Sequence, residues 1–192
     1  MGVLNNDSIT DYELQLEILE GKGYGGVFNI MPIKVLDEDY DEELGNIEYV
    51  ESEQISIDED YIAYFLSIFV EKHLSKDLAF QIWGDECEFD GFEWYGDNVY
   101  SYSDIKNMIA DIKEVTKLLE TDYDNPLLEP VKKYLSHYYL APLITRWTSE
   151  KEAAYIKENI GIVTDFYRRF MKRMEMMMQR NPDCSLIVFS GP

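Results

Sequence analysis

The fold class is decided by residues 92–126, FEWYGDNVYSYSDIKNMIADIKEVTKLLETDYDNP, where strand-like and helix-like periodicity follow one another. Asp90-Gly91 and Gly96-Asp97-Asn98 are turn signals, and the second precedes a short strand at Val99–Tyr102. Ser103 is in position to cap a helix whose apolar residues recur at helical spacing, and the TDYDNP segment ends it. These residues predict a strand meander that leads directly into an amphipathic helix.

Towards the N-terminus, the pattern is that of strands. Residues 12–18 alternate between apolar and polar side chains, which predicts a half-buried strand before a glycine-rich turn at residues 21–26. The pattern at Val27–Val35 predicts a second strand that pairs with the first. Pro32 predicts that this second strand lies at an edge or carries a bulge. A further short strand is expected at Ile47–Val50.

Two more elements follow before residue 92. Ser56 and Glu59 have the spacing of a capping box, which predicts a helix that extends to about Ser75. Leu78–Trp83 is a short apolar segment and predicts a strand.

Helices dominate the rest of the chain. Asn125-Pro126 or Glu129-Pro130 begins one helix, and Ser149 with Glu152 forms a second capping-box pattern. The long helix that follows is expected from about Glu150 to Arg180, with Asn181-Pro182 as its terminator. Ser185–Phe189 then predicts a last strand.

This order of elements predicts an α+β fold with an antiparallel or mixed sheet of five to six strands. About four helices would cover one face of the sheet. Because there is neither an internal repeat nor a linker, we expect one domain over residues 1–192.

Charge divides the chain into an acidic half, residues 1–100, and a neutral, helix-rich half, residues 101–192. The net charge is −21. The acidic half holds 25 acidic and 4 basic residues, whereas the other half holds 13 of each. A field of this sign repels nucleic acid and anionic membranes, and it attracts basic surfaces. We therefore expect a basic protein partner, and neither nucleic acid nor membrane.

Two acidic stretches are the candidate partner-binding sites, since clustered carboxylates gain nothing from burial. Residues 37–60 contain twelve acids and no base, and residues 85–97 contain six acids interleaved with aromatic residues. Such runs can also be solvated surface only. The candidate residues are Asp37, Glu38, Asp39, Asp41, Glu42, Glu43, Glu48, Asp85, Glu86, Glu88, Asp90, Glu93, Trp94 and Asp97.

Functions that depend on a metal ion are the alternative hypotheses. Asp37, Asp39, Asp41 and Glu48 stand at calcium-loop positions, but Glu42 occupies the position that normally requires glycine. Asp11 with Glu20-Gly21-Lys22 resembles the acid and lysine spacing of metal-dependent nucleases. These patterns keep a metal-dependent hydrolase and a calcium-binding protein open as alternatives to the binding module, while we expect no metal and no cofactor.

Motifs for other catalytic classes are missing from the sequence. The chain has no GxSxG, P-loop or GxGxxG motif. Cys87 and Cys184 are far apart, and acids flank Cys87, which would raise its pKa. His73 is expected near a helix end, where it would interact with the helix dipole. We expect no enzymatic activity.

The predicted C-terminal helix carries a basic patch made of Arg168, Arg169, Lys172, Arg173 and Arg180, interspersed with methionines. The methionines would pack in the core while the arginines reach outward. The same patch could instead pack on the acidic half of this chain or of a second copy, so a homodimer is a possible assembly.

Residues 92–126 resemble, in composition and in their strand-to-helix order, the small acidic immunity proteins of bacterial toxin systems. That resemblance implies a cytoplasmic α+β protein that binds a cognate basic toxin, often a nuclease, and covers its active-site groove. It implies that exposed acids contact the partner. A structural subunit of a larger assembly is a third possibility.

Overall fold

The computed structural model describes residues 26–35, 47–75, 78, 91–140 and 149–192. In these ranges, five strands form an antiparallel sheet and four helices pack with it, so the predicted α+β class is confirmed. The predicted strand at residues 12–18, all but residue 78 of the predicted strand at 78–83, and residues 37–46 and 85–90 of the two acidic stretches lie outside the described residues. None of the described helices has both the length and the apolar character that a membrane span requires.

The strands are β1 (Val27–Val35), β2 (Ile47–Tyr49), β3 (Ile55–Asp58), β4 (Asp97–Ser101) and β5 (Leu186–Ser190). Their order is β2-β1-β5-β4, and β3 pairs with β1 on the same side as β2. A 3₁₀ turn at Glu51–Glu53 connects β2 to β3. The C-terminal strand therefore lies at the centre of the sheet, between β1 and β4.

Pro32 lies in a central strand, so the prediction of an edge strand is wrong. Along one side of β1, β3 pairs with Val27–Ile30 and β2 pairs with Ile33–Val35, which leaves Pro32 at the change of partner. The carbonyl of Pro32 accepts a hydrogen bond from Val50 N on that side. The donor that proline lacks would therefore point to the place where the neighbouring ladder is interrupted.

Helix α1 comprises Glu59–Tyr61, a π-helical segment at Ile62–Leu66, and Ser67–His73. The predicted cap at Ser56 is wrong, because Ser56 lies in β3 between buried Ile55 and Ile57 and bonds to Asn29. The helix begins at Glu59 instead, where the carboxylate accepts from Gly26 N at 2.9 Å.

Helix α2 (Tyr102–Thr121) follows β4 directly, and its cap is Ser101 rather than the predicted Ser103. Ser101 Oγ accepts from Asp104 N, and the Asp104 carboxylate accepts from Ser101 N. This reciprocal bonding needs an acid three residues after the cap, which Ser101 has and Ser103 lacks. The predicted turn at residues 96–98 is also shifted, because β4 already begins at Asp97.

Asn125 caps a 3₁₀ turn at Pro126–Leu128 that leads into α3 (Glu129–Leu140). This agrees with Asn125-Pro126, the first of the two starts that the sequence predicts. The long helix α4 runs over Ser149–Arg180 and is continuous through Gly161. These helices cover one face of the sheet, the helical face, with Phe28, Ile30, Tyr100, Ile187 and Phe189 beneath them. A smaller apolar cluster lies on the second face: Met31, Ile33, Val99, Leu186 and Val188.

Candidate functional site

Four of the fourteen predicted partner-binding residues lie in the described ranges: Glu48, Glu93, Trp94 and Asp97. Glu48 is exposed on β2, opposite Lys34 of β1. The other three belong to a tight loop that immediately precedes β4. The remaining ten, Asp37, Glu38, Asp39, Asp41, Glu42, Glu43, Asp85, Glu86, Glu88 and Asp90, lie outside the described residues.

A buried asparagine closes this loop, residues 93–98, which we call the clamped loop. Asn98 Oδ1 accepts from Glu93 N, and Asn98 Nδ2 donates to Glu93 O, both at 2.7 Å. The same amide also donates to Phe189 O of β5 at 3.3 Å. Because Asn98 is 2% exposed, these bonds are made away from water and fix both ends of the loop.

The C-terminal segment supports the clamped loop from behind. Gly191 N donates to Gly96 O at 2.9 Å. A Cβ atom at Gly191 would lie 2.4 Å from Trp94 O, so only glycine allows the two backbones to approach this closely. The loop therefore rests on the strand that forms the centre of the sheet.

Trp94 anchors the clamped loop to the core. Its ring makes edge contacts with Phe28 and Phe92, at centroid distances of 5.9 and 5.2 Å. The side chain is half-buried, so part of its surface remains accessible. A tryptophan held in this way contributes rigidity, and rigidity lowers the entropic cost of binding.

The outward side of the clamped loop combines an aromatic ring with carboxylates. Tyr95 is 78% exposed, the highest value among the large apolar side chains of the described residues. Glu93 packs over Gly96, where an added Cβ would lie 2.6 Å from Glu93 Cγ. Asp97 begins β4 one residue later, on the second face of the sheet.

Tyr49 links the two acidic stretches. By register it lies on the second face, and its hydroxyl donates to Asp97 Oδ2 at 3.3 Å. Partial burial raises the pKa of Tyr49, and the charge of Asp97 and this hydrogen bond raise it further. One residue of each acidic stretch thus takes part in this contact. We call the group Tyr49, Glu93, Tyr95 and Asp97 the acidic–aromatic surface.

The carboxylates of this surface have no described counter-charge. No described cation forms an ion pair with Glu93 or Asp97, and the same holds for exposed Glu48 and Glu51. Glu53 is different, because Arg180 of α4 lies 3.5 Å from its carboxylate. Within the described part of the acidic half, Glu53 is therefore the carboxylate that a C-terminal arginine neutralises.

The basic patch on α4 is divided between pairs and one buried cation. Arg168 pairs with Glu120, and Arg169 lies 3.0 Å from Asp165. Arg173, which was expected to reach outward, is buried. It packs beside buried Met174 and Met177, which confirms the predicted core position of these methionines.

Other residues that could take part in catalysis make structural contacts instead. His73 ends α1, and its Nε2 lies 2.7 Å from Asp111 Oδ2, which also pairs with Lys72 at 2.5 Å. Burial raises the pKa of the Cys184 thiol, which disfavours the reactive thiolate. Among the described side chains, no three His, Cys, Asp or Glu are placed to hold a metal ion. The predicted calcium-loop aspartates, Cys87 and the Asp11/Glu20-Gly21-Lys22 pattern lie outside those residues.

A scan against protein-family models gives no match, and searches of curated proteins and of solved structures give none either.

Sequence reasoning identified Glu93, Trp94 and Asp97 but missed the residues that organise them. Asn98 was assigned to a turn, although it is the clamp, and Tyr49 was not included in the surface. The signal for Asn98 is its position immediately before a strand and five residues after Glu93. The contact between Tyr49 and Asp97 joins two strands that have β1 and β5 between them, and no local pattern in the sequence predicts it.

Proposed function

We propose that this chain is an acidic protein-binding module that neutralises a basic partner, in the manner of an immunity or inhibitor protein. Glu93 and Asp97 would meet lysine or arginine side chains of the partner, and Tyr49 and Tyr95 would supply the contact area. If the partner is a toxin nuclease, these carboxylates would occupy the positions that substrate phosphates take.

The observation that supports the proposal is the hydrogen bond between Tyr49 and Asp97, because it brings a tyrosine of one acidic stretch to a carboxylate of the other, at the clamped loop. Tyrosine combines apolar area with a polar tip and few rotatable bonds, and it is enriched in binding hot spots. Carboxylates without counter-charge attract a basic surface at long range and accelerate association. Burying them without a basic partner would be costly, which favours an interface role over a packing role.

The proposal is tested by affinity capture from the native cell, followed by association kinetics with the captured partner. We expect a basic protein whose association rate falls at least about tenfold between about 50 and about 500 mM NaCl. A captured partner that associates at the same rate across this range would contradict the proposal.

A variant with Tyr49→Ala, Tyr95→Ala and Asp97→Asn tests whether this surface is the one used. We expect the dissociation rate to rise by at least about tenfold, since hot-spot contacts act mainly on dissociation. The charge-matched control carries Tyr123→Ala and Glu114→Gln in the helical half. It should leave the association and dissociation rates within about twofold of wild type. Equal losses in the two variants would assign the interface elsewhere.

A further inference from the structure

Arg173 is the one described charged side chain near the core that lacks a partner. It is 4% exposed, and its Nε is buried without a hydrogen-bond acceptor in the described part of the chain. No described carboxylate lies within ion-pair distance of it. Buried arginines are normally paired or fully hydrogen-bonded, because a buried charge without compensation is strongly unfavourable.

A second arginine lies in the same region. Arg180 is two turns further along α4, on the same side of the helix, and contacts Glu53 at 3.5 Å. Burial lowers the pKa of Arg173, the charge of Arg180 lowers it further, and Glu53 raises it. Glu53 therefore forms its ion pair with Arg180 and acts on Arg173 only through its charge, and the pair with Arg180 is long and partly exposed.

We propose that Arg173 and Arg180 form a binding site for a small oxyanion, either a phosphate or a carboxylate group. The planar donors of guanidinium match the oxygens of both groups. Glu53, which contacts Arg180, would be a weak internal competitor for the anion. The site is made of α4 and the Glu51–Glu53 turn, and it does not depend on the proposed partner surface.

The test is the thermal unfolding of the whole chain in inorganic phosphate, and separately in acetate, at constant ionic strength adjusted with NaCl. For wild type, we expect a saturable rise in Tm of about 3–5 °C at ten times the Kd of the preferred anion. The arm with the lower Kd identifies phosphate or carboxylate as the preferred group. No saturable rise in either arm would overturn the proposal.

Arg173→Met removes the buried charge while conserving the shape of the side chain, and it should abolish the saturable rise. Lys172→Met makes the same change of charge at the exposed neighbour and should keep the rise, which separates binding from general salt effects. A rise in Arg173→Met equal to that of wild type would overturn the proposal.

Glu53→Gln gives a prediction of opposite sign and does not depend on whether Arg173→Met folds. Removing the competing carboxylate should lower the Kd for the anion by about threefold or more, because one repulsive charge is lost. Arg180→Met should raise the Kd by a similar factor. If Arg173 merely compensates Glu53, Glu53→Gln will leave the anion effect unchanged, and that result would contradict the site.

Discussion

Among the described residues, the helical half pairs more of its carboxylates with cations than the acidic half does. In the described part of the helical half, Asp111, Glu120, Asp124, Glu129 and Asp165 each lie within ion-pair distance of a cation. In the described part of the acidic half, Glu53 forms such a pair, whereas Glu48, Glu51, Glu93 and Asp97 form none with a described cation.

This difference shows that the charge asymmetry of the sequence persists at the surface of the fold. In the helical half, Glu120 and Asp165 pair with arginines of α4, and Asp111 pairs with Lys72 and His73 at the end of α1. The acidic half holds Glu93 and Asp97 on a loop that hydrogen bonds and a half-buried tryptophan make rigid. Rigid, unpaired carboxylates beside exposed tyrosines are more useful for recognition than for stability.

The largest effect is expected from Asn98→Ala, which would break the clamp. It leaves the backbone N–H and C=O of Glu93 without their partner in a part-buried site, so the free energy of unfolding should fall by about 2 kcal/mol. Urea denaturation measures this loss. Asn107→Ala, at an exposed position on α2, is the control and should change the free energy of unfolding by less than about 0.5 kcal/mol.

Asn98→Asp should be about as destabilising as Asn98→Ala. Aspartate can still accept from Glu93 N, but it cannot donate to Glu93 O or Phe189 O, and its charge would face these two carbonyls at a position that is 2% exposed. If Asn98→Ala were as stable as wild type, the clamped loop would not be held by this side chain.

Asp111→Asn tests a paired carboxylate of the helical half and should cost about 1 kcal/mol. Although burial raises the pKa of Asp111, the hydrogen bonds and charges of Lys72 and His73 outweigh it, so the pKa is lowered. A lowered folded-state pKa gives stability that is present above the unfolded value, about 3.9, and is lost as the pH falls through the folded value. In a pH series of urea denaturations, the variant should lose less stability than wild type below about pH 4.

Tyr49→Phe is expected to have a small effect, at most about 0.5 kcal/mol, because the bond to Asp97 is long and partly exposed. In wild type, the phenol of Tyr49 should titrate above the ordinary value of tyrosine, since its pKa is raised. Difference absorbance between wild type and Tyr49→Phe in alkaline buffer isolates this one phenol. A normal pKa for that phenol would contradict the contact with Asp97.

The smallest effect on stability is expected from the double variant Glu93→Gln with Asp97→Asn. Neither carboxylate has a described counter-charge, so the free energy of unfolding should change by less than about 0.5 kcal/mol, or rise slightly as repulsion is relieved. Urea denaturation beside Asp111→Asn makes the comparison between the two halves direct. A loss equal to that of Asp111→Asn would show that the acidic surface is used for stability after all.

Periodicity and capping patterns were sufficient for much of the fold. They predicted β1, β2 and β5, the end of α4 at Asn181-Pro182, and the start of a helix after Asn125. They failed where three-dimensional context decides. Pro32 is tolerated in a central strand because two partners meet beside it, and Ser56 lies in a strand because β1 pairs with it.

The candidate site was predictable in its charge and not in its architecture. Acid content and interleaved aromatics indicated Glu93, Trp94 and Asp97, since composition can be read from a sequence. The burial of Arg173 and the clamp by Asn98 depend on how α4 and β5 pack, which no local pattern encodes. The contact between Tyr49 and Asp97 likewise needs strands that are distant in sequence.

The central claim is tested most directly by two charge-matched variants and a basic probe. One variant combines Glu93→Gln with Asp97→Asn, and the other combines Glu114→Gln with Glu158→Gln, two exposed acids of the helical half. The affinity of a labelled arginine-rich peptide is measured for both at about 50 mM NaCl. We expect the affinity to fall by at least about fivefold for the first variant and by less than about twofold for the second. Equal losses in both variants would contradict it, because the probe would then sense the net charge of the chain rather than this surface.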